Sequence, residues 1–174
     1  MLLDLSVTNH LRKYYDWALS HYENGDKALA TFFAITLIEE CAKILYLRDA
    51  DVKDRKQRQG ATDHQEKRLV ALVNLLSASD RFDTLPKQWQ ELAWSWFGSE
   101  QLMRLRNDSL YIRFNTEGEL ATPDQAISLG QAALLVYLAG FVAVELREFV
   151  SLGPAWVKYI LRRNEAFRST YLKG

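Results

Sequence analysis

The sequence predicts an all-α fold, and two observations carry this prediction. Apolar residues recur at spacings of three and four along most of the 174-residue chain, as they do on one face of a helix. Glycine and proline are scarce, at 8 and 3 residues, so long helices are seldom interrupted. We find no alternating β pattern and no internal repeat. We therefore expect a single domain over residues 1–174, with its core at about 8–150.

The first two helices are predicted to form a pair joined by a tight turn. Thr8 is the expected N-cap of a helix that ends at Asn24-Gly25. Asp26 is the expected cap of a second helix over about residues 27–48. The wide apolar stripe of this second helix indicates a central position in the bundle.

The middle of the chain is predicted to alternate helices with polar breaks. Pro86 is expected in the first turn of a Trp-rich helix that ends before Gly98. A helix over about residues 100–112 follows that break and carries a cluster of polar residues. In chain order, the expected segments are a charged linker at 49–60, a helix at 63–76, the Trp-rich helix, a helix at 100–112 and a turn at 115–118.

Two more helices are predicted in the last third of the chain. Thr122, Pro123 and Asp124 have the order of a helix start, with an N-cap, a proline at the first position and an acid in the first turn. We expect the helix that they begin to reach about Val150. A basic C-terminal helix is expected at about 155–173, after a Gly-Pro break.

Composition narrows the possible functions and location. The 22 basic and 22 acidic residues cancel, so any nucleic-acid contact must come from a local basic patch. Cys41 is the only cysteine, which excludes an intrachain disulfide and suits a reducing compartment. The first residues lack the basic-then-apolar order of a signal peptide, and the apolar run at 132–144 is too short to span a bilayer. A cytoplasmic protein without a membrane segment is expected.

Three polar clusters interrupt the apolar stripes. In the second helix, Glu39 and Lys43 stand four apart, which predicts an ion pair, and the apolar neighbours of Glu39 and Glu40 suggest a partly buried carboxylate. His64 and Lys67 stand on one face at the start of the third helix. Alone, this second pair indicates only an exposed helix start.

The third cluster lies in the helix predicted at about residues 100–112. Arg104 and Asp108 are four apart, while Arg106, Asn107 and Tyr111 fall within about a turn and a half. This cluster has two interpretations: a buried polar network that stabilises the helix packing, or a functional site.

A metal site is the weaker interpretation of the carboxylates. Glu39, Glu40 and His64 could meet across two helices, but metal sites in bundles usually show repeated carboxylate–histidine pairs. We therefore expect no metal and no cofactor.

In this order on helices, the three clusters resemble the motifs of the AbiV family of abortive-infection proteins, within the HEPN-like superfamily. The matching elements are Glu39-Glu40-x-x-Lys43, His64-x-x-Lys67 and Arg106-Asn107-x-x-x-Tyr111. The resemblance covers about residues 27–145. It implies a HEPN-like up-and-down bundle of about five main helices plus a C-terminal helix, assembled as a homodimer.

The resemblance also implies a function, an antiphage effector that cuts RNA without a metal ion and shuts down translation. Many HEPN proteins use an Arg-x(4–6)-His motif, and here Tyr111 stands where that histidine would be. Tyrosine titrates near pH 10, so it exchanges protons less readily than histidine at neutral pH. His64 could supply the imidazole instead. The implied alternative is an inactive HEPN bundle that binds a phage or translation-machinery protein, and a helical dimerisation module is a third class.

On this resemblance, the expected partners are a second copy of the chain, RNA and a phage-encoded activator protein. The residue roles fall into three groups. The expected catalytic residues are Arg106, Asn107, Tyr111 and His64, and the supporting residues are Glu39, Glu40, Lys43, Lys67, Arg104 and Asp108. The third group comes from charge and not from the resemblance, because the C-terminal helix has five basic residues against one acid and should contact the RNA backbone or the partner subunit. Its expected RNA-binding residues are Lys158, Arg162, Arg163 and Arg168.

Overall fold

Helices form almost all of the regular structure in the computed structural model, which describes residues 5–48, 72–97, 101–114 and 117–172. The all-α prediction is therefore confirmed. Residues 72–77 are helical as well, and a 3-10 helix spans Leu146–Glu148. The helices are α1 (Leu5–Glu23), α2 (Lys27–Arg48), α3 (Asp80–Asp83), α4 (Lys87–Phe97), α5 (Gln101–Asp108), α6 (Pro123–Ala126), α7 (Leu129–Glu145) and α8 (Pro154–Tyr171), and the strands are β1 (Arg113–Phe114) and β2 (Leu120–Ala121).

Helices α1 and α2 form a hairpin around a short turn. Gly25 has a positive φ of 83°, which a glycine adopts without steric cost. Asp26 caps α2 by accepting a hydrogen bond from the Leu29 amide at 3.0 Å, as predicted. The predicted start of α1 is wrong, because the helix begins at Leu5. Thr8 is buried one turn inside it, and its hydroxyl donates to the Leu5 carbonyl at 3.0 Å.

Helix α7 is the centre of the molecule. Every residue from Ala132 to Glu145 is buried, and α1, α2 and α8 pack around the helix. Among the described residues, the run Leu129–Glu148 is long and apolar enough to cross a membrane, but 83% of its most apolar stretch is buried inside the molecule. A helix apolar on all sides is also what the core of a bundle requires.

The start of α7 differs from the prediction. Thr122, Pro123 and Asp124 do begin a helix, but it is the single turn α6. The chain then restarts at Ser128, whose hydroxyl accepts from the Gln131 amide at 3.2 Å while the Gln131 side chain accepts from the Ser128 amide at 3.0 Å. This reciprocal capping box fixes the true start of the core helix.

Helix α5 is shorter than predicted, and a small hairpin follows it. The helix stops at Asp108 rather than near residue 112, and β1 pairs antiparallel with β2. Strands were not expected at all. Each is only two residues long, too short for an alternating pattern to show in the sequence.

The segment between α2 and α5 contains one helix that was not predicted. Ser79 caps α3 by accepting from the Phe82 amide. The Pro86 carbonyl accepts from the Trp89 and Gln90 amides at 2.8 and 3.1 Å, so Pro86 directly precedes α4 instead of lying in its first turn. The predicted linker at 49–60 and most of the predicted third helix lie outside the described residues.

Helix α8 is an integral part of the bundle. It buries Ile160 and Phe167, and its buried Asn164 accepts a hydrogen bond from the Tyr15 hydroxyl at 3.0 Å. The Trp156 indole donates to the Thr8 carbonyl at 2.8 Å. The predicted C-terminal helix is therefore present, and its apolar face is covered by α1 and α7.

Candidate functional site

The candidate site lies where α5 packs on α2. Leu102 and Leu105 of α5 are buried, and they hold the helix against α2. Arg106 follows Leu105 directly and therefore lies at the edge of the contact, with 34% of its side chain exposed. Its position gives the guanidinium access to solvent from an otherwise apolar setting.

Two groups of α2 contact the Arg106 guanidinium. The Glu39 carboxylate lies 3.6 Å from Nε, at ion-pair distance, and the Phe32 ring centroid lies 5.9 Å from Cζ. The structure thus joins the predicted motif of α2 to that of α5. Because both side chains of this pair are partly exposed, a phosphate oxygen can compete with Glu39 for the same guanidinium.

The predicted Glu39–Lys43 pair is wrong. Lys43 pairs with Glu40 instead, at 3.7 Å, because Glu39 is turned toward α5 and Arg106. Both members of the Glu40–Lys43 pair are about one-third exposed. The two carboxylates of this motif therefore contact different cations, Glu39 across helices and Glu40 within α2.

The end of α5 separates Tyr111 from Arg106 and Asn107. The Asn107 carbonyl accepts from the Leu110 and Tyr111 amides at 3.0 Å each, and this turn ends the helix. Tyr111 lies beyond it and is 63% exposed. The interpretation that these three side chains lie on one helix is wrong for Tyr111, whereas Asn107 is exposed beside Arg106.

Asp108 connects α5 to the hairpin. Its carboxylate forms an ion pair with Arg113 of β1. Burial raises the pKa of the Asp108 carboxyl above its usual value, and the charges of Arg113 and Arg104 offset this in part. Asp108 thus has a structural contact of its own, which holds β1 against the end of the helix.

Two predicted site residues, His64 and Lys67, lie outside the described residues. Within the described ranges, no group of three or more His, Cys, Asp or Glu side chains is placed to hold a metal ion. The Cys41 thiol is buried in α2, and burial raises its pKa, so it is not available as a nucleophile at neutral pH.

An aromatic strip beside Arg106 was missed in the sequence. It crosses from α1 to α2, and consecutive ring centroids lie 4.7–6.4 Å apart. Its members on α1, His10, Tyr14, Trp17 and His21, are spaced four, three and four residues apart. This spacing is their one signal in the sequence, and it fits a buried helix face equally well. The strip consists of His10, Tyr14, Trp17, His21, Phe32 and Phe33.

The expected RNA-binding side chains of α8 divide into two sets. Lys158, Arg162 and Arg163 are exposed. Arg168 is more enclosed, 3.9 Å from the Glu165 carboxylate and 6.0 Å from the centroid of Trp89. A groove of about 720 Å³ runs between α8 and the chain after α7, with Lys158 and Arg162 in its lining.

The hairpin after α5 exposes apolar side chains, which we call the hairpin patch. All five of its members are at least 37% exposed. Such a concentration of apolar surface beside a candidate site is typical of a contact with another protein. The hairpin patch consists of Leu110, Tyr111, Ile112, Phe114 and Leu120.

Comparison with known protein families gives a match over most of the chain. The family model HEPN_AbiV, described as AbiV, matches residues 5–143, which is more than half of the chain. The matched region includes α1, α2, α5 and nearly all of α7, and so contains Glu39 and Arg106. No curated protein and no solved structure matches the chain significantly.

Proposed function

Because the chain belongs to the AbiV family of HEPN-type abortive-infection proteins, we propose that it is an endoribonuclease that cuts RNA and shuts down translation during phage infection. The observation that carries the proposal is the placement of Arg106. It is a permanently charged, partly exposed side chain beside a carboxylate and an aromatic ring. Such a group can bind a phosphate through two parallel hydrogen bonds.

The proposed reaction needs no metal ion. The ribose 2′-oxygen attacks the adjacent phosphorus, the 2′-O–P bond forms and the P–O5′ bond breaks. The products are a 2′,3′-cyclic phosphate and a 5′-hydroxyl. In this mechanism Arg106 stabilises the negative charge that develops on the phosphate oxygens, and exposed Asn107 orients the phosphate.

Two proton transfers accompany these steps. The attacking 2′-hydroxyl loses its proton to a base, and the leaving 5′-oxygen receives one from an acid. His64 is our proposed proton carrier, because imidazole titrates near neutral pH. Tyr111, exposed and outside the helix, serves as a hydrogen-bond donor to the phosphate.

Arg106→Ala tests the proposal directly. We expect cleavage of total RNA by the purified protein to fall by about a hundredfold or more, because alanine cannot stabilise the charge of the transition state. Arg106→Lys should not restore it, since an ammonium lacks the planar fork. Cleavage by the wild type should continue in the presence of a chelator.

The matched control is Lys87→Ala, which removes an exposed cation of α4 that has no assigned role in the site. It should keep most of the activity. Thermal unfolding of each variant separates a catalytic role from a structural one, because a purely structural Arg106 would lower the melting temperature together with activity. A folded and fully active Arg106→Ala would exclude this site.

The hairpin patch favours a second candidate function, in which a catalytically inactive bundle binds a phage or translation-machinery protein. Its exposed apolar side chains suit a protein partner, and Tyr111 belongs to it. If the wild type cuts no RNA, while substitution of Phe114 removes antiphage protection, this second function is the correct one. In both cases we place the protein in the cytoplasm, where phage proteins and ribosomes are found.

A further inference from the structure

The aromatic strip leaves ring faces at the surface. Trp17 is 45% exposed, and Tyr14, His21, Phe32 and Phe33 are only half-buried. Three of the six ring contacts are steep, at 62–79°, so the faces of these rings are not all covered by one another. Exposed aromatic faces cost free energy in water, which points to a ligand that covers them.

The strip is continuous with the candidate site. Phe32 is at once a member of the strip, 5.3 Å from Phe33, and the ring next to Arg106. Lys13 is exposed on α1, one turn before Trp17. The strip therefore has one cation beside it on α5 and another on α1, and rings next to cations are the combination that binds bases and phosphates of a single strand.

The chemistry of the strip differs from that of the hairpin patch. Three of the five side chains of the hairpin patch, Leu110, Ile112 and Leu120, have no π face. The strip is made of aromatic and imidazole rings, on which a planar base can stack. Of the two exposed surfaces, the strip is the one suited to nucleic acid, and the hairpin patch is the one suited to protein.

We propose that the aromatic strip stacks unpaired bases of single-stranded RNA, and so positions the strand with a phosphate at Arg106. This inference rests on the proposed ribonuclease function and names its substrate class, RNA that is unpaired at the cleavage site. A duplex cannot use the strip, because its base faces are already covered by neighbouring pairs. Trp17, the most exposed of the strip's four rings other than histidine, is the main stacking residue.

Binding of a labelled 2′-O-methyl RNA of about 12 nucleotides tests the inference. This probe lacks the attacking hydroxyl, so it is not cut while affinity is measured by fluorescence anisotropy. We expect Trp17→Leu to weaken binding about tenfold, the effect of removing one base stack. Trp17→Phe should keep affinity within about threefold, because it retains a π face.

Leu92→Ala is the matched control. Leu92 is 44% exposed on α4, against 45% for Trp17, but it has no ring to offer. This variant should bind the probe as the wild type does, and a duplex of the same sequence should bind the wild type more weakly. Because Trp17 is well exposed, its variants should keep the wild-type melting temperature.

Several results would overturn the inference. They are an unchanged affinity in Trp17→Leu, an equal loss in Trp17→Leu and Trp17→Phe, and equal affinity for the duplex. A fall in molar mass of Trp17→Leu by light scattering would show instead that the strip is an interface between subunits. If Arg106→Ala abolishes cleavage while Trp17→Leu binds normally, the proposed function stands and only the stacking fails. If the wild type binds RNA through Trp17 but cuts none, the stacking proposal stands and the proposed ribonuclease function fails.

Discussion

At the residue scale, the contact between α7, α1 and α8 depends on the absence of a side chain at Gly140. A Cβ atom there would collide with Asn164 Oδ1 and would lie 2.7 Å from Tyr15 Cε2. Gly140→Ala should therefore break the buried Tyr15–Asn164 hydrogen bond or push the helices apart. We expect a loss of about 1–3 kcal/mol in the free energy of unfolding, measured by urea denaturation.

The same helix offers a control for this prediction. A Cβ at Gly130 would meet no atom within 4 Å. Gly130→Ala should thus stabilise the protein by up to about 1 kcal/mol, because alanine favours a helix more than glycine does. Equal effects of the two substitutions would contradict the packing described for Gly140.

Single residues of the candidate site could be named from the sequence, but their contacts could not. The resemblance to AbiV pointed to Glu39 and Arg106. Their ion pair depends on how α2 and α5 pack, which helical spacing does not determine. The rings of Trp17 and Phe33 were missed for a similar reason. Aromatic residues at helical spacing fit a core equally well, and only the packing shows which faces stay exposed.

At the scale of elements, the central helices were predictable and the short elements were not. The bounds of α2 follow from the Asp26 cap and a long apolar stripe, and the structure confirms them. In contrast, two helix-start signals stand six residues apart, at Thr122 and Ser128, and only the second begins α7. Local capping signals identify possible helix starts, and burial of the apolar residues that follow decides which of them begins the core helix.

Helix α8 gives a prediction at this scale. Its apolar face is built into the bundle, so deletion of the helix would disturb the fold and would not isolate RNA binding. Neutralising its exposed cations tests the helix without unfolding it. The triple substitution Lys158→Gln, Arg162→Gln and Arg163→Gln should weaken RNA binding. It should also flatten the salt dependence, by about 0.7 in log–log slope for each phosphate that the helix no longer neutralises.

Lys87→Gln is the control for the α8 substitution. Lys87 is an exposed cation on α4, and its replacement should leave both affinity and salt slope unchanged. The triple variant should also keep the wild-type melting temperature. An unchanged salt slope in that variant would remove α8 from the RNA-binding surface.

At the scale of the whole molecule, the hairpin patch predicts self-association. We expect a homodimer at tens of micromolar by light scattering, with the patches of two subunits in contact and each Arg106 nearby. Ile112 and Phe114 are 64% and 70% exposed, so replacing both by glutamate should not disturb the core. The double variant should be monomeric, because charges at the centre of an apolar interface lose their hydration.

Leu92→Glu is the control for the dimer prediction, since Leu92 is exposed on α4 and is not a member of the hairpin patch. This variant should remain dimeric. A wild-type protein that is monomeric in this concentration range would exclude the dimer, and a dimeric double variant would place the interface elsewhere.

The burial of α7 has a consequence for how the protein is made. Among the described elements, α1, α2 and α8 make the main contacts with α7, and α8 comes later in the chain than α7. During synthesis, α1 and α2 are already available when α7 leaves the ribosome, but the side facing α8 stays open until α8 follows. Until then, an apolar stretch long enough to cross a membrane is incompletely covered. We therefore expect the core to close only when α8 has been made, with part of the apolar surface of α7 exposed until then.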